Sequence, residues 1–84
     1  MRMATRKVNK KTKKAYEQYL NEYYSEMSVE HAQEELGYIT SNLRYGSILT
    51  MDKLIQRIED GKAGAVIREY DPIRFEVGFN EWKN

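Results

Sequence analysis

The one histidine, His31, stands among Glu30, Glu34 and Glu35. On a helix, His31 and Glu35 would share a face at a spacing of four, and an imidazole beside carboxylates could bind a divalent cation. A zinc site takes three or four protein ligands, mostly histidine or cysteine, and the chain has no cysteine. These residues therefore read as a solvated helix face, and no metal or cofactor is expected. Nucleophilic chemistry has no better support. There is no cysteine nucleophile, no glycine-rich phosphate loop and no G-x-S-x-G elbow, and the serines lack histidine–acid companions. The chain is expected not to be an enzyme.

The residues left to consider are cations and rings, and they meet in "KVNKKTKKAYEQYLNEYY", residues 7–24. Cations could hold phosphate and exposed rings could stack on bases. Net charge is only +1, but it is unevenly spread. Arg2, Arg6, Lys7, Lys10, Lys11, Lys13 and Lys14 hold seven of the 14 cations, with no acid among residues 1–14. The other seven cations and all 13 acids follow, so that part carries 7 − 13 = −6. A basic arm on an acidic body is a pattern of nucleic-acid contact. A solvated terminus with no specific role is the alternative.

Positioning these groups falls to one small domain, given 84 residues. Residues 1–11 read as a disordered basic arm and 12–84 as the domain. Neither a membrane-length apolar run nor a secretory signal is evident, so a cytoplasmic location is expected. Thr12 is a fair N-cap for a first helix. Tyr16, Tyr19, Leu20, Tyr23 and Met27 follow with helical spacing and are expected to face the core. Lys13 and Lys14 open that helix, where its dipole disfavours cations. Ser28 caps a second helix, which either stops at Gly37 or runs on to Arg44 and stops at Gly46; the stripe Val29, Ala32, Leu36, Ile39, Leu43 favours the longer form or two closely joined helices. Thr50 caps a third helix, with Met51, Leu54, Ile55 and Ile58 inward and Gly61 closing it.

Beyond Gly61 the period changes. "AGAVIREY" and "IRFEVGF" are β-branched and aromatic runs around the turn signal "YDP". Ile73, Phe75, Val77 and Phe79 alternate with Arg74, Glu76 and Gly78, one face at period two. The expected fold is α+β: two or three helices followed by a C-terminal antiparallel β-hairpin, with Trp82 closing over the core.

The segment "LIQRIEDGKAGAVIREYDPIRFEVGFNEW" resembles the second half of excisionase-type winged-helix DNA-binding domains. Gly61 and Lys62 would end the helix, Ala65 and Val66 would start the wing, Ile73 to Phe75 would return it, and Trp82 would follow. "MSVEHAQEELG" is similar to that family's first helix. Two departures stand out. "YITSNLRYGSILT" lengthens the helix-to-helix link, and the segment after the wing alternates where the family's is helical. The resemblance implies that Lys53, Gln56 and Arg57 face a groove and that Lys62, Arg68 and Arg74 meet phosphate from the wing. Asp52, Glu59 and Asp60 would oppose DNA there.

Two functions follow as expectations. One is a small non-catalytic nucleic-acid-binding accessory or regulatory protein, using the arm (Arg6, Lys7, Lys10, Lys11, Lys13, Lys14), helix three and the hairpin. The other is a small inhibitor or adaptor, of the kind phages and mobile elements carry, binding a partner protein through the acidic body and exposed tyrosines, with Tyr24 and Tyr45 as contacts. An exposed hairpin edge could also pair with a second copy, giving a homodimer.

Overall fold

A computed structural model describes residues 11–41, 43–44 and 47–84. Arg6, Lys7, Lys10 and Tyr45 lie outside the described residues, as does most of the arm. The elements run α1 (Lys13–Ser25), α2 (Val29–Leu36), a 3-10 helix (Gly37–Ser41), β1 (Leu43–Arg44), β2 (Ser47–Ile48), α3 (Met51–Glu59), α4 (Ala63–Tyr70) and α5 (Pro72–Lys83). The fold is all-α, which corrects the α+β expectation. Both runs assigned to the C-terminal hairpin are helices. The strand pairing among the described residues is a two-residue antiparallel ribbon in the α2–α3 connection, with Leu43 opposite Ile48 and Arg44 opposite Ser47.

Local sequence explains why the helices start and stop where they do. Thr12 Oγ1 accepts from Ala15 N at 3.1 Å, Ser28 Oγ from His31 N at 3.1 Å and Thr50 Oγ1 from Lys53 N at 3.2 Å. Each hydroxyl satisfies one of the backbone donors a helix start leaves unpaired. Gly61 ends α3 at φ 73°. Gly61 N donates to Ile58 O at 3.1 Å and Lys62 N to Arg57 O at 2.8 Å, the paired bonds of a Schellman turn. The second helix stops at Gly37, the first of the expected courses, and is closely joined to a further helical segment; it does not run on to Arg44. It leaves α geometry at Gly37, whose φ is −59°, and tightens into 3-10 turns as far as Ser41.

The reason the hairpin is absent lies in "YDP". Asp71 Oδ1 accepts from Arg74 N at 3.2 Å and Pro72 takes the first helical position. This is an N-cap followed by proline at N1, where the missing N–H costs nothing. The period-two apolar pattern then divides between two faces, because residues two apart on a helix are separated by about 200°. Phe75 and Phe79 are buried and Trp82 packs against them, whereas Ile73 is 78% and Val77 53% exposed.

Leu20, Ala32, Leu36, Ile39, Leu54, Ile58, Val66, Ile67 and Phe75 build the core. The α1–α4 contact is the most extensive and depends on Gly64. A Cβ there would collide with the Glu17 carbonyl oxygen and come within 2.9 Å of Leu20 Cβ. Gly64 N also donates to Asn21 Oδ1 at 2.7 Å. Asn21 thus caps α4 from a neighbouring helix, where Lys62 offers no side-chain cap.

Candidate interaction surface

The buried stripe of α1 is Tyr16, Leu20 and Tyr24, rotated from the expected one. Tyr19 and Tyr23 are 46% and 47% exposed, a correction to their expected core role. Tyr24 is 3% exposed, so it is core and not the free contact residue expected. Its hydroxyl donates to Glu35 Oε1 at 3.4 Å and accepts from Arg74 Nη2 at 3.1 Å.

Arg74, expected on a wing facing phosphate, is instead the hub of a polar cluster joining α1, α2, the 3-10 helix and α5. Besides Tyr24, its Nη1 donates to the Tyr38 hydroxyl at 2.9 Å, and that hydroxyl donates to Asp71 Oδ2 at 2.7 Å. Burial raises the Tyr24 hydroxyl pKa, Arg74 draws it back and Glu35 adds to the rise. Tyr38 is raised for the same first reason, with Arg74 lowering it and Asp71 raising it further. On Arg74 itself burial acts downward, but the bond to Tyr38 and the proximity of Tyr24 and Asp71 outweigh it, so its pKa is raised.

Other predicted cations are also engaged within the molecule. Arg68 Nη1 pairs with Glu17 Oε1 at 2.9 Å, and its guanidinium lies 5.3 Å from the Phe75 ring centre. Lys13 pairs with Glu76. Lys53 and Gln56 are exposed on α3, Arg57 is half-buried, and exposed Asp52, Glu59 and Asp60 stand on or just beyond the same helix. Lys62 is exposed just before α4, and Lys14 is exposed near the start of α1. His31 Nε2 meets Glu35 Oε2 at 3.3 Å on an exposed face.

Sequence reasoning missed a row of rings along α1 and the end of α5. Tyr23 and Tyr19 stack at 6.3 Å with planes 26° apart. Tyr19 lies 5.8 Å from Trp82 and 6.0 Å from Tyr16. Beneath them, Tyr16 contacts Phe75 at 5.1 Å and Tyr24 meets Tyr23 edge-on at 5.0 Å. Gly78 makes room for this floor, since a Cβ there would collide with the Tyr16 hydroxyl. Lys11 Nζ lies 4.8 Å from the Trp82 ring centre and Lys83 Nζ 5.2 Å from that of Phe79. The spacing of four between Tyr19 and Tyr23 was visible, but which face of α1 turns outward is decided by α4 and α5.

No protein family, curated protein or solved structure matches this chain. Among the described residues, no helix is long and apolar enough to cross a membrane.

Proposed function

We propose that this chain is a small non-catalytic nucleic-acid-binding protein of the accessory or regulatory kind. Phosphate contacts come from the basic arm, and orientation comes from the edge of the body where the arm joins α1. The observation that carries this reading is Lys11 beside Trp82, next to exposed Tyr19 and Tyr23. Charge and aromatic surface therefore share one edge. Lys53 and Gln56 on α3 are secondary, because Asp52, Glu59 and Asp60 would repel phosphate there.

The test is a salt titration of binding to a mixed-sequence oligonucleotide, using the full chain and a Lys7→Ser/Lys10→Ser/Lys11→Ser/Lys14→Ser variant. Removing four phosphate contacts should flatten the log–log salt slope by about 3. Absence of binding at low salt overturns the proposal. A second reading, a protein partner, draws on Ile73 and Val77, an exposed apolar pair at i, i+4 on α5. In that case Ile73→Ser/Val77→Ser would abolish capture of a partner while leaving oligonucleotide binding unchanged.

A further inference from the structure

From the row formed by Tyr23, Tyr19 and Trp82 we infer a stacking platform for the bases of a single-stranded nucleic acid, with its backbone on the Lys11–Lys83 side. This inference rests on the nucleic-acid reading above and narrows it to one class of ligand.

The rings have the exposure that stacking needs. Tyr19 and Tyr23 keep nearly half their surface free, unlike Tyr16 and Tyr24 beneath them. They are also held in place before any ligand arrives. Tyr19 touches both Tyr16 and Trp82, which also touch each other, and Tyr23 rests on Tyr24, whose hydroxyl is fixed by Arg74 and Glu35. A ring already ordered loses little further entropy on binding. Every base has a π face, so such a row is tolerant of sequence.

Charge sets the direction of the strand. Trp82 contacts both Tyr16 and Tyr19, so its end of the row lies toward the buried stripe. Lys11 and Lys83 lie at that end, over Trp82 and Phe79. Glu22 on α1 and Glu26 at its C-cap are exposed, three residues beyond Tyr19 and Tyr23 respectively, and turn further from the buried stripe. Phosphates are repelled from that side and drawn to the lysines. Glu81 and Glu76 bring acid to the lysine edge as well, but Glu76 is paired with Lys13. Residues 1–10, which precede Lys11 in the chain, add Arg2, Arg6, Lys7 and Lys10 and no acid. A duplex gains nothing from exposed rings unless its bases are first unpaired and unstacked, which costs a few kcal/mol.

The experiment is fluorescence anisotropy with labelled 15-mers of thymidine and of uridine and a 15-base-pair DNA duplex, at low salt, with the full chain. Wild type should bind the single strands at least about ten-fold tighter than the duplex. Tyr19→Ala and Tyr23→Ala should each weaken single-strand binding about five-fold or more, and Tyr19→Phe/Tyr23→Phe should restore it because the rings remain. Trp82, the one tryptophan, supplies a readout in the unmutated chain: its emission should fall as the thymidine 15-mer binds. The inference is overturned, with the nucleic-acid reading intact, if duplex binds as well as single strand and the Tyr→Ala changes alter neither. It is also overturned if the strand binds wild type with no change in Trp82 emission. Failure of all three probes to bind overturns both readings. A shift in sedimentation on Tyr19→Ala or Tyr23→Ala, without loss of strand binding, would assign the row to a second copy of the chain and overturn the inference.

Discussion

Replacing Gly64 by alanine tests how the body is held together, because two effects of opposite sign compete there. Gly64 is the second residue of α4, where alanine's advantage over glycine is at most the about 0.8–1 kcal/mol of a helix interior. Against this, the new Cβ would collide with the Glu17 carbonyl oxygen and reach 2.9 Å from Leu20 Cβ and from Asn21 Oδ1. A backbone carbonyl cannot rotate away as a flexible side chain can, so α1 and α4 must separate. Overpacking of this kind costs typically 1–3 kcal/mol, and the upper end applies where backbone is struck. Separation would also stretch the 2.7 Å bond from Gly64 N to Asn21 Oδ1, adding about 1 kcal/mol. The net expectation is a loss of about 2–3 kcal/mol. For a domain of this size that lowers Tm by roughly 10–20 °C, measured by circular dichroism at 222 nm. Gly37→Ala is the control: φ is −59° and the nearest obstacle is Met51 Cε at 3.7 Å. It should be neutral or stabilising by up to about 1 kcal/mol. Gly61→Ala meets no atom within 4 Å but must adopt φ +73°, and should cost about 1–2 kcal/mol. If Gly64→Ala were as stable as wild type, the close approach of α1 and α4 would be wrong.

Asp71→Ala should cost about 1–2 kcal/mol and reduce helicity, since it removes both the α5 N-cap and the acceptor for Tyr38; chemical denaturation with an unchanged m-value checks it. Arg74→Ala should destabilise by about 1 kcal/mol, because the Tyr24 and Tyr38 hydroxyls lose their shared donor on a partly wet face. Stability should also fall at alkaline pH. Tyr24 and Tyr38 have pKa values raised above the ordinary value of 10.0 in the folded state. The fold therefore holds their protons more tightly than the unfolded chain. The resulting stability is fully present below pH 10 and declines as pH rises through and above it. Denaturation curves between pH 8 and 11 should show this decline, reduced in Tyr24→Phe/Tyr38→Phe.

What could be read from sequence was what short-range chemistry decides. Thr12, Ser28, Thr50 and Gly61 bound helices because each satisfies or frees backbone groups within its own turn. The C-terminal half was misread because alternation has two meanings. Ile73, Phe75, Val77 and Phe79 alternate along the chain, but in α5 they are two stripes at spacing four, one buried and one exposed. The β-branched and aromatic content of both runs favours strand, and that preference is outweighed by the Asp71–Pro72 start and by packing against α1. The Asp71–Pro72 pair was the available signal, since it suits a helix start as well as a turn. The ring row was hidden for a different reason. Tyr16, Tyr19 and Tyr23, at spacings of three and four, suit one helix face as well as Tyr16, Leu20 and Tyr24 do at four and four, and only the position of α4 and α5 selects between the two faces. Arg74 reads as a free cation in sequence because Tyr24 and Tyr38 lie 50 and 36 residues away.

The most direct test of the proposed role is an amide and indole NMR titration of the full chain with a thymidine 15-mer. Shifts should concentrate on the Trp82 indole N–H, on Lys11 to Tyr23 along α1 and on the end of α5. Shifts confined to α3 around Lys53 and Gln56, or no shifts at all at low salt, would contradict it.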